Sequence, residues 1–237
     1  STSRGLGDVY KRQVQTITMP NLRLGSIAPD FSAETTQGPI HFHEWLGNSW
    51  GVLFSHPADF TPVCTTELGE VARREADFKK RGVKVIGLSA NDLASHKKWI
   101  EDINDISHTS VNFPIIGDHE RKVATLYDML DALDPTNVDA KGVPFTVRDV
   151  FVIDPNKVIR LIISYPASTG RHFDEIIRVI DSLQVGDKHR VTTPANWKPG
   201  DNVIVHPSVQ NDEAEKLFPG YETVRPYLRF AKDPSAQ

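Results

Sequence analysis

A second cysteine is missing from this chain: Cys64 stands alone among 237 residues. An intrachain disulfide is therefore excluded, and a thiol without a bridge framework suits a reducing compartment better than secretion. Long apolar runs are absent as well. None reaches the roughly 18 residues that a membrane-crossing helix requires, so no stable membrane insertion is expected. Nor is there an excess of positive charge. Against 31 acidic residues stand 27 Lys and Arg, a formal net charge of −4, which leaves no basic footprint for nucleic acid. Internal repeats and low-complexity tracts are lacking too. What is present, 39% hydrophobic and 24% charged residues, is the composition of a globular protein with a substantial core.

Organisation follows from local pattern. The stretch 1–19, "STSRGLGDVYKRQVQTITM", has no convincing periodicity and is expected to be a non-native leader or a disordered segment. From residue 25 strand-like and helix-like segments alternate, the α/β pattern. "WGVLFS" (50–55) and "VKVIGLS" (83–89) are short, apolar and β-branched, as buried strands are. Between them residues 64–82 have helical spacing, with Gly82 as a natural stop. Residues 91–103 and 119–130 read as two further helices. Two strands near 147–153 and 158–164 flank a turn at Asp154-Pro155-Asn156-Lys157. A closing helix over 171–186 follows, with Phe173, Ile176, Ile177 and Ile180 on one face and Gly186 as its end. This order predicts a thioredoxin-like α/β domain over 22–186. Prolines cluster after Gly186, while Trp197, Leu217, Phe218, Tyr221 and Tyr227 are too apolar for a free tail. The segment 187–237 is thus expected to be a small C-terminal extension packed on its own surface or on a partner subunit.

Cys64 is either an inert small hydrophobe or a reactive group, and its neighbours bear on the choice. Thr61 is placed to cap a helix, and Pro62 fits the first helical position, where its missing N–H is not needed. Cys64 then falls in the first turn, where free backbone N–H groups and the positive helix end favour a thiolate. Glu67 opposes this slightly. Arg148 shares a strand face with Val150 and Val152 in a run that otherwise looks buried. Such an arginine needs an anion; a thiolate would serve, although a carboxylate is the commoner partner.

These residues carry a resemblance. "SHPADFTPVCTTELG" contains Pro, three residues, Thr, two residues, Cys, standing as Pro57, Thr61 and Cys64. The chain resembles the 1-Cys peroxiredoxins with a C-terminal extension, the peroxiredoxin 6-type subfamily, over roughly residues 22–231. "FPIIGD", "YPASTGRHFDEIIRVIDSLQ", "TTPANWKPGD" and "EAEKLFPG" extend the match, and "PFTVRDVFVIDP" places the family's arginine at Arg148. The resemblance implies a thiol-dependent peroxidase. Cys64 would be the peroxidatic nucleophile, Arg148 and Thr61 would hold the peroxide, Pro57 would shield the pocket, and His56 would contribute a hydrogen bond. It implies no cofactor and no metal, a peroxide substrate, glutathione or a similar external thiol as reductant, a homodimer, and a cytoplasmic setting with an organelle-targeted form left open. The alternative is a thiol redox sensor that does not turn over.

Members of the subfamily also suggest lipase chemistry. "GNSWG" centres a G-x-S-x-G pattern on Ser49, and His43 matches a histidine partner. The third position, however, falls at Asn156, with Asp154 two residues earlier. An amide cannot stabilise an imidazolium as a carboxylate does, so lipid hydrolysis is not expected. His41 and His43 are read as residues of a surface strand, and His96 with the remaining histidines as solvated or locally bonded.

Overall fold

The computed structural model describes residues 22–236; the expected leader at 1–19 lies outside them. Seven strands form one sheet: β1 (Ser32–Thr35), β2 (Gly38–His41), β3 (Trp50–Ser55), β4 (Val83–Ser89), β5 (Ile115–Gly117), β6 (Arg148–Ile153) and β7 (Ile159–Tyr165). Their spatial order is β2-β1-β5-β4-β3-β6-β7. The central β3 pairs in parallel with β4 and antiparallel with β6, Phe54 facing Val150 across the latter pair.

Alternation along the central strands sends successive side chains to opposite faces. Val52, Phe54, Val150 and Val152 pack beneath α2 (Pro62–Arg73), α4 (Leu93–Ser107) and α6 (Phe173–His189). Leu53, Phe151 and Ile153 point the other way, into a second core with residues of α1 (Phe42–Leu46) and α5 (Lys122–Leu126). Both faces are covered, which is why these strands read as unbroken apolar runs. This is the thioredoxin-like arrangement that the sequence predicts.

Several boundaries differ for identifiable reasons. The single helix expected over 64–82 is two, because Arg74 (φ −95°, ψ 10°) breaks the spiral before α3 (Glu75–Lys80). The helix expected over 119–130 shortens to α5, since Arg121 and Asp128 both take positive φ. Gly186 does not end α6, which continues to His189 and closes at left-handed Arg190. His41 ends β2 whereas His43 lies in α1, so the two do not share a strand face.

Beyond α6, strands β8 (Val191–Thr192), β9 (Val203–Val205), β10 (Glu222–Arg225) and β11 (Leu228–Ala231) form a small sheet in the order β10-β11-β9-β8. Helix α7 (Asn211–Leu217) precedes β10, and Trp197, Val203, Val205 and Phe218 close a separate core with Val185 of α6. Tyr227, at the tip of the β10–β11 hairpin, stays exposed.

Gly69 fixes how closely α2 approaches α4. A Cβ there would lie 2.0 Å from Ser107 Oγ and 2.7 Å from Ser107 Cβ. Rotating the serine relieves only the first contact. Gly69→Ala is therefore expected to destabilise the protein by about 1–3 kcal/mol despite alanine's better helix propensity. The midpoint of denaturant unfolding checks this, and an unchanged midpoint would mean that α4 yields freely.

Candidate active site around Cys64

The site forms where β3 ends and α2 begins. After Ser55 the chain turns through 56–61, with Phe60 in a left-handed conformation (φ 54°) that bulky side chains seldom adopt. Thr61 is extended and Pro62 occupies the first helical turn, as the sequence predicts. The Thr61 hydroxyl does not cap the helix, however. It donates to Ala58 O at 2.8 Å, and its oxygen accepts no cap hydrogen bond from the first turn.

Cys64 is fully buried within that turn. Arg148, the first residue of β6, donates from Nη1 to Cys64 Sγ at 3.3 Å. The same Nη1 lies 2.7 Å from Glu67 Oε2, while Nε and Nη2 both donate to Ala167 O, at 2.9 and 2.6 Å. The guanidinium is held on three sides. Arg148 was expected to face the thiolate, and it meets the thiol and a carboxylate together.

Glu67, the acid expected to oppose a thiolate slightly, is also a buried anchor. Its carboxylate accepts from Arg171 Nε and from the Arg171 backbone N–H through Oε1, and from Arg171 Nη2 and Arg148 Nη1 through Oε2. Burial alone would raise the Glu67 carboxyl, but Arg171 first and Arg148 next hold it below its usual range. Arg171 Nη1 also donates to Ser55 O and Asp149 O, tying the ends of β3 and β6 to α2. Sequence reasoning missed Arg171. Its signal was a cation just before the N-terminus of α6, where the helix dipole disfavours positive charge.

The remaining predicted residues separate into two groups. Pro57 is buried beside His56 in the same turn. His56 is fully buried, and its Nε2 lies 3.0 Å from Asp59 Oδ1. Asp59 Oδ2 in turn lies 2.7 Å from both Ser95 Oγ and His96 Nδ1. His96, expected to be solvated or locally bonded, is fully buried in this network. Burial pushes the His56 ring toward its neutral form. Burial would also raise Asp59, but hydrogen bonds to His56 and His96 hold it well below the carboxylate range.

The lipase-like pair is not assembled. His43 Nε2 is 2.8 Å from Ala28 O and its Nδ1 is 3.9 Å from Asp30 Oδ2, so both ring nitrogens face groups other than Ser49. Asp154 is occupied by the turn N–H groups of Asn156 and Val158 and by Arg160.

Comparison with known proteins agrees with this geometry. The AhpC/TSA family matches residues 24–162, and the C-terminal domain of 1-Cys peroxiredoxin matches residues 182–220. The mitochondrial peroxiredoxin PRX1 of Saccharomyces cerevisiae is 55% identical over 222 residues, covering 93% of this chain and 85% of that protein. Human peroxiredoxin-6 is 50% identical over 223 residues, 90% of this chain and 98% of its own. Among solved structures, a cysteine-to-serine variant of the peroxiredoxin 6 of Arenicola marina superimposes with a TM-score of 0.86 at 50% identity, covering 90% of this chain and 99% of that one. A yeast mitochondrial 1-Cys peroxiredoxin, described for its thiol resolving mechanism via glutathione/thioredoxin systems, gives a TM-score of 0.81 at 55% identity, covering 89% and 99%.

Proposed function

This chain belongs to the AhpC/TSA family and, within it, to the 1-Cys peroxiredoxins, thiol-dependent peroxidases, and on that premise we propose that Cys64 is its peroxidatic nucleophile. One observation carries this reading. Two buried guanidiniums, Arg148 and Arg171, share one carboxylate, Glu67, and the side-chain contacts of Arg148 are that carboxylate and Cys64 Sγ, its other donors being spent on Ala167 O. A thiolate at Cys64 would place a second anion against these two cations.

The chemistry follows. The thiolate attacks one peroxide oxygen, the O–O bond breaks, and the leaving alkoxide or hydroxide takes a proton as the sulfur becomes a sulfenic acid. Arg148 stabilises the negative charge that moves onto the leaving oxygen. The unengaged lone pairs of the Thr61 hydroxyl accept from the peroxide O–H and fix the line of attack. Pro57 closes the pocket wall, and His56 contributes a hydrogen bond inside it. Hydrogen peroxide and organic hydroperoxides are the substrates. With no second cysteine in the chain, an external thiol condenses with the sulfenic acid, releasing water, and a second thiol restores Cys64. Glutathione is the proposed donor, a choice supported by what is described for the yeast relative.

The proposed assembly is a homodimer. Strand β7 ends the large sheet and, among the described residues, no strand pairs with its outer edge beyond Ile159, which bonds Gly25 and Ser26; the extension over 187–237 carries exposed Tyr227. Both are surfaces that a second copy would cover. A reducing compartment is proposed, the cytoplasm on the sequence reading, with an organelle form kept in view by the mitochondrial yeast relative.

Stopped-flow tryptophan fluorescence tests the assignment. The buried Trp99 donates to Thr65 Oγ1, beside Cys64, and so reports on the sulfur's state. Oxidation by hydrogen peroxide is expected to run far faster than that of a free thiol and to vanish in Cys64→Ser. Sustained peroxide consumption with glutathione would exclude the sensor alternative. A rate like that of a free thiol would sink the assignment.

A further inference from the structure

One buried polar atom of His56 has no partner among the described residues. The ring is fully buried, its Nε2 faces Asp59, and its Nδ1 meets no hydrogen-bonding group there. An orphaned ring nitrogen in a protein interior is costly and calls for an explanation. The neighbours determine which kind of orphan it is.

His96 comes first. Its Nε2 lies 3.1 Å from the backbone oxygen of Ile116, which can only accept, so that nitrogen carries a proton. Its Nδ1 lies 2.7 Å from Asp59 Oδ2, an oxygen to which Ser95 Oγ also donates at 2.7 Å. An ionised Asp59 only accepts, so Nδ1 carries a proton as well. His96 is thus an imidazolium, and Asp59 is its buried counter-charge. The other carboxylate oxygen, Oδ1, faces His56 Nε2 at 3.0 Å and demands a proton there. The charged and titratable groups that bear on His56 are Asp59 from its own loop, His96 from α4 and Arg171 from the loop before α6. The two cations disfavour a second proton on the ring.

We infer that Asp59 and His96 are positioning residues that lock His56 as a neutral imidazole with its proton on Nε2, so that Nδ1 offers a lone pair to an O–H donor of the reacting group at Cys64. The orphan atom is therefore an acceptor, and never a second donor competing with Arg148. This rests on His56 lining the peroxidatic pocket. His56 and Cys64 both lie against the Trp99 neighbourhood: the His56 ring centroid is 5.1 Å from that of Trp99, whose N–H donates to Thr65, the residue after Cys64. Ser95 continues the network outward, since it also lines a cavity of about 500 Å³ with Asn91, His119, Arg121 and Lys141. His56, Asp59 and His96 have the donor types of a metal site. At 2.7 and 3.0 Å, however, their ligand atoms are already bonded to one another.

Long-range proton–nitrogen correlation spectra of the isotope-labelled, reduced full chain test the lock directly. From about pH 6 to about pH 8, the span in which an ordinary histidine changes charge, His56 should keep a bare Nδ1 and a protonated Nε2. His96, whose two nitrogens both face acceptors, should show protons on both. A protonated His56 Nδ1, or a bare nitrogen on His96, would overturn the inference. The functional arm is Asp59→Asn, whose amide can present either oxygen or NH₂ to Nε2. His56 should then populate both tautomers, His96 should lose one proton, and Cys64 oxidation should slow about tenfold, the worth of one hydrogen bond. Wild-type tautomers as stated, with an Asp59→Asn oxidation rate equal to wild type, would keep the lock but remove His56 from the peroxidatic pocket.

Discussion

Arg148→Ala is expected to slow the oxidation of Cys64 by hydrogen peroxide about 10²- to 10³-fold, the usual cost of removing one preorganised donor from a site of developing charge. The size of the effect follows from how the side chain is held. Nε and Nη2 are anchored on Ala167 O and Nη1 on Glu67, so the group that faces Sγ needs no reorganisation when charge moves toward the leaving oxygen. Arg148→Lys should recover only a small part of the loss. One ammonium cannot reach Ala167, Glu67 and Cys64 from a single planar fork. Stopped-flow fluorescence of both variants decides the matter. A wild-type rate in Arg148→Ala would mean that the first turn of α2 activates the sulfur alone.

Glu67→Gln is expected to cost about 3 kcal/mol of folding stability, since removing one partner from a buried ion cluster leaves uncompensated charge. For a chain of this size that lowers the melting temperature by roughly 6–12 °C. The amide offers one accepting oxygen where the carboxylate serves four donor contacts, three from Arg171 and one from Arg148. The pH dependence has a definite sign. A carboxyl held below its ordinary value of 4.5 contributes its full stabilisation above that value and loses it as pH falls through the lower, folded-state value. Wild type and Glu67→Gln should therefore converge in stability only in acid, below about pH 4.5. Thermal melts across a pH series check both statements. A constant gap down to strong acid would show that Glu67 acts by shape and not by charge.

The central strands and the start of α2 were legible because each rests on a local rule. Residues 50–55 and 83–89 are apolar runs bounded by breakers, and Pro62 can open a helix but not continue one. Arg148 was legible because strand alternation put a charge among valines. Residues supplied by loops were less so. Glu67 sits three positions after Cys64, on the same helix face, but its partner Arg171 is 104 residues away, and nothing local announces the pairing. Asp59 and His96 are separated by 37 residues and meet only because α4 packs over the turn after β3. The break at Arg74 and the short α5 depend on single backbone angles, which tertiary contacts set and hydrophobic periodicity does not record.

The complete burial of Cys64 has a kinetic meaning. A two-oxygen peroxide needs only side-chain breathing to reach the sulfur. On the proposed assignment, a tripeptide thiol has to bring its own sulfur into line with the S–O bond, so the buried Cys64 sulfur has to become exposed first. Reduction would then be scaled by the fraction of molecules in which the sulfur is exposed, and at high thiol concentration limited by the rate of that exposure. On that assignment the guanidinium that speeds oxidation also helps hold the sulfur buried, so its tightness would apportion each catalytic cycle between its two halves.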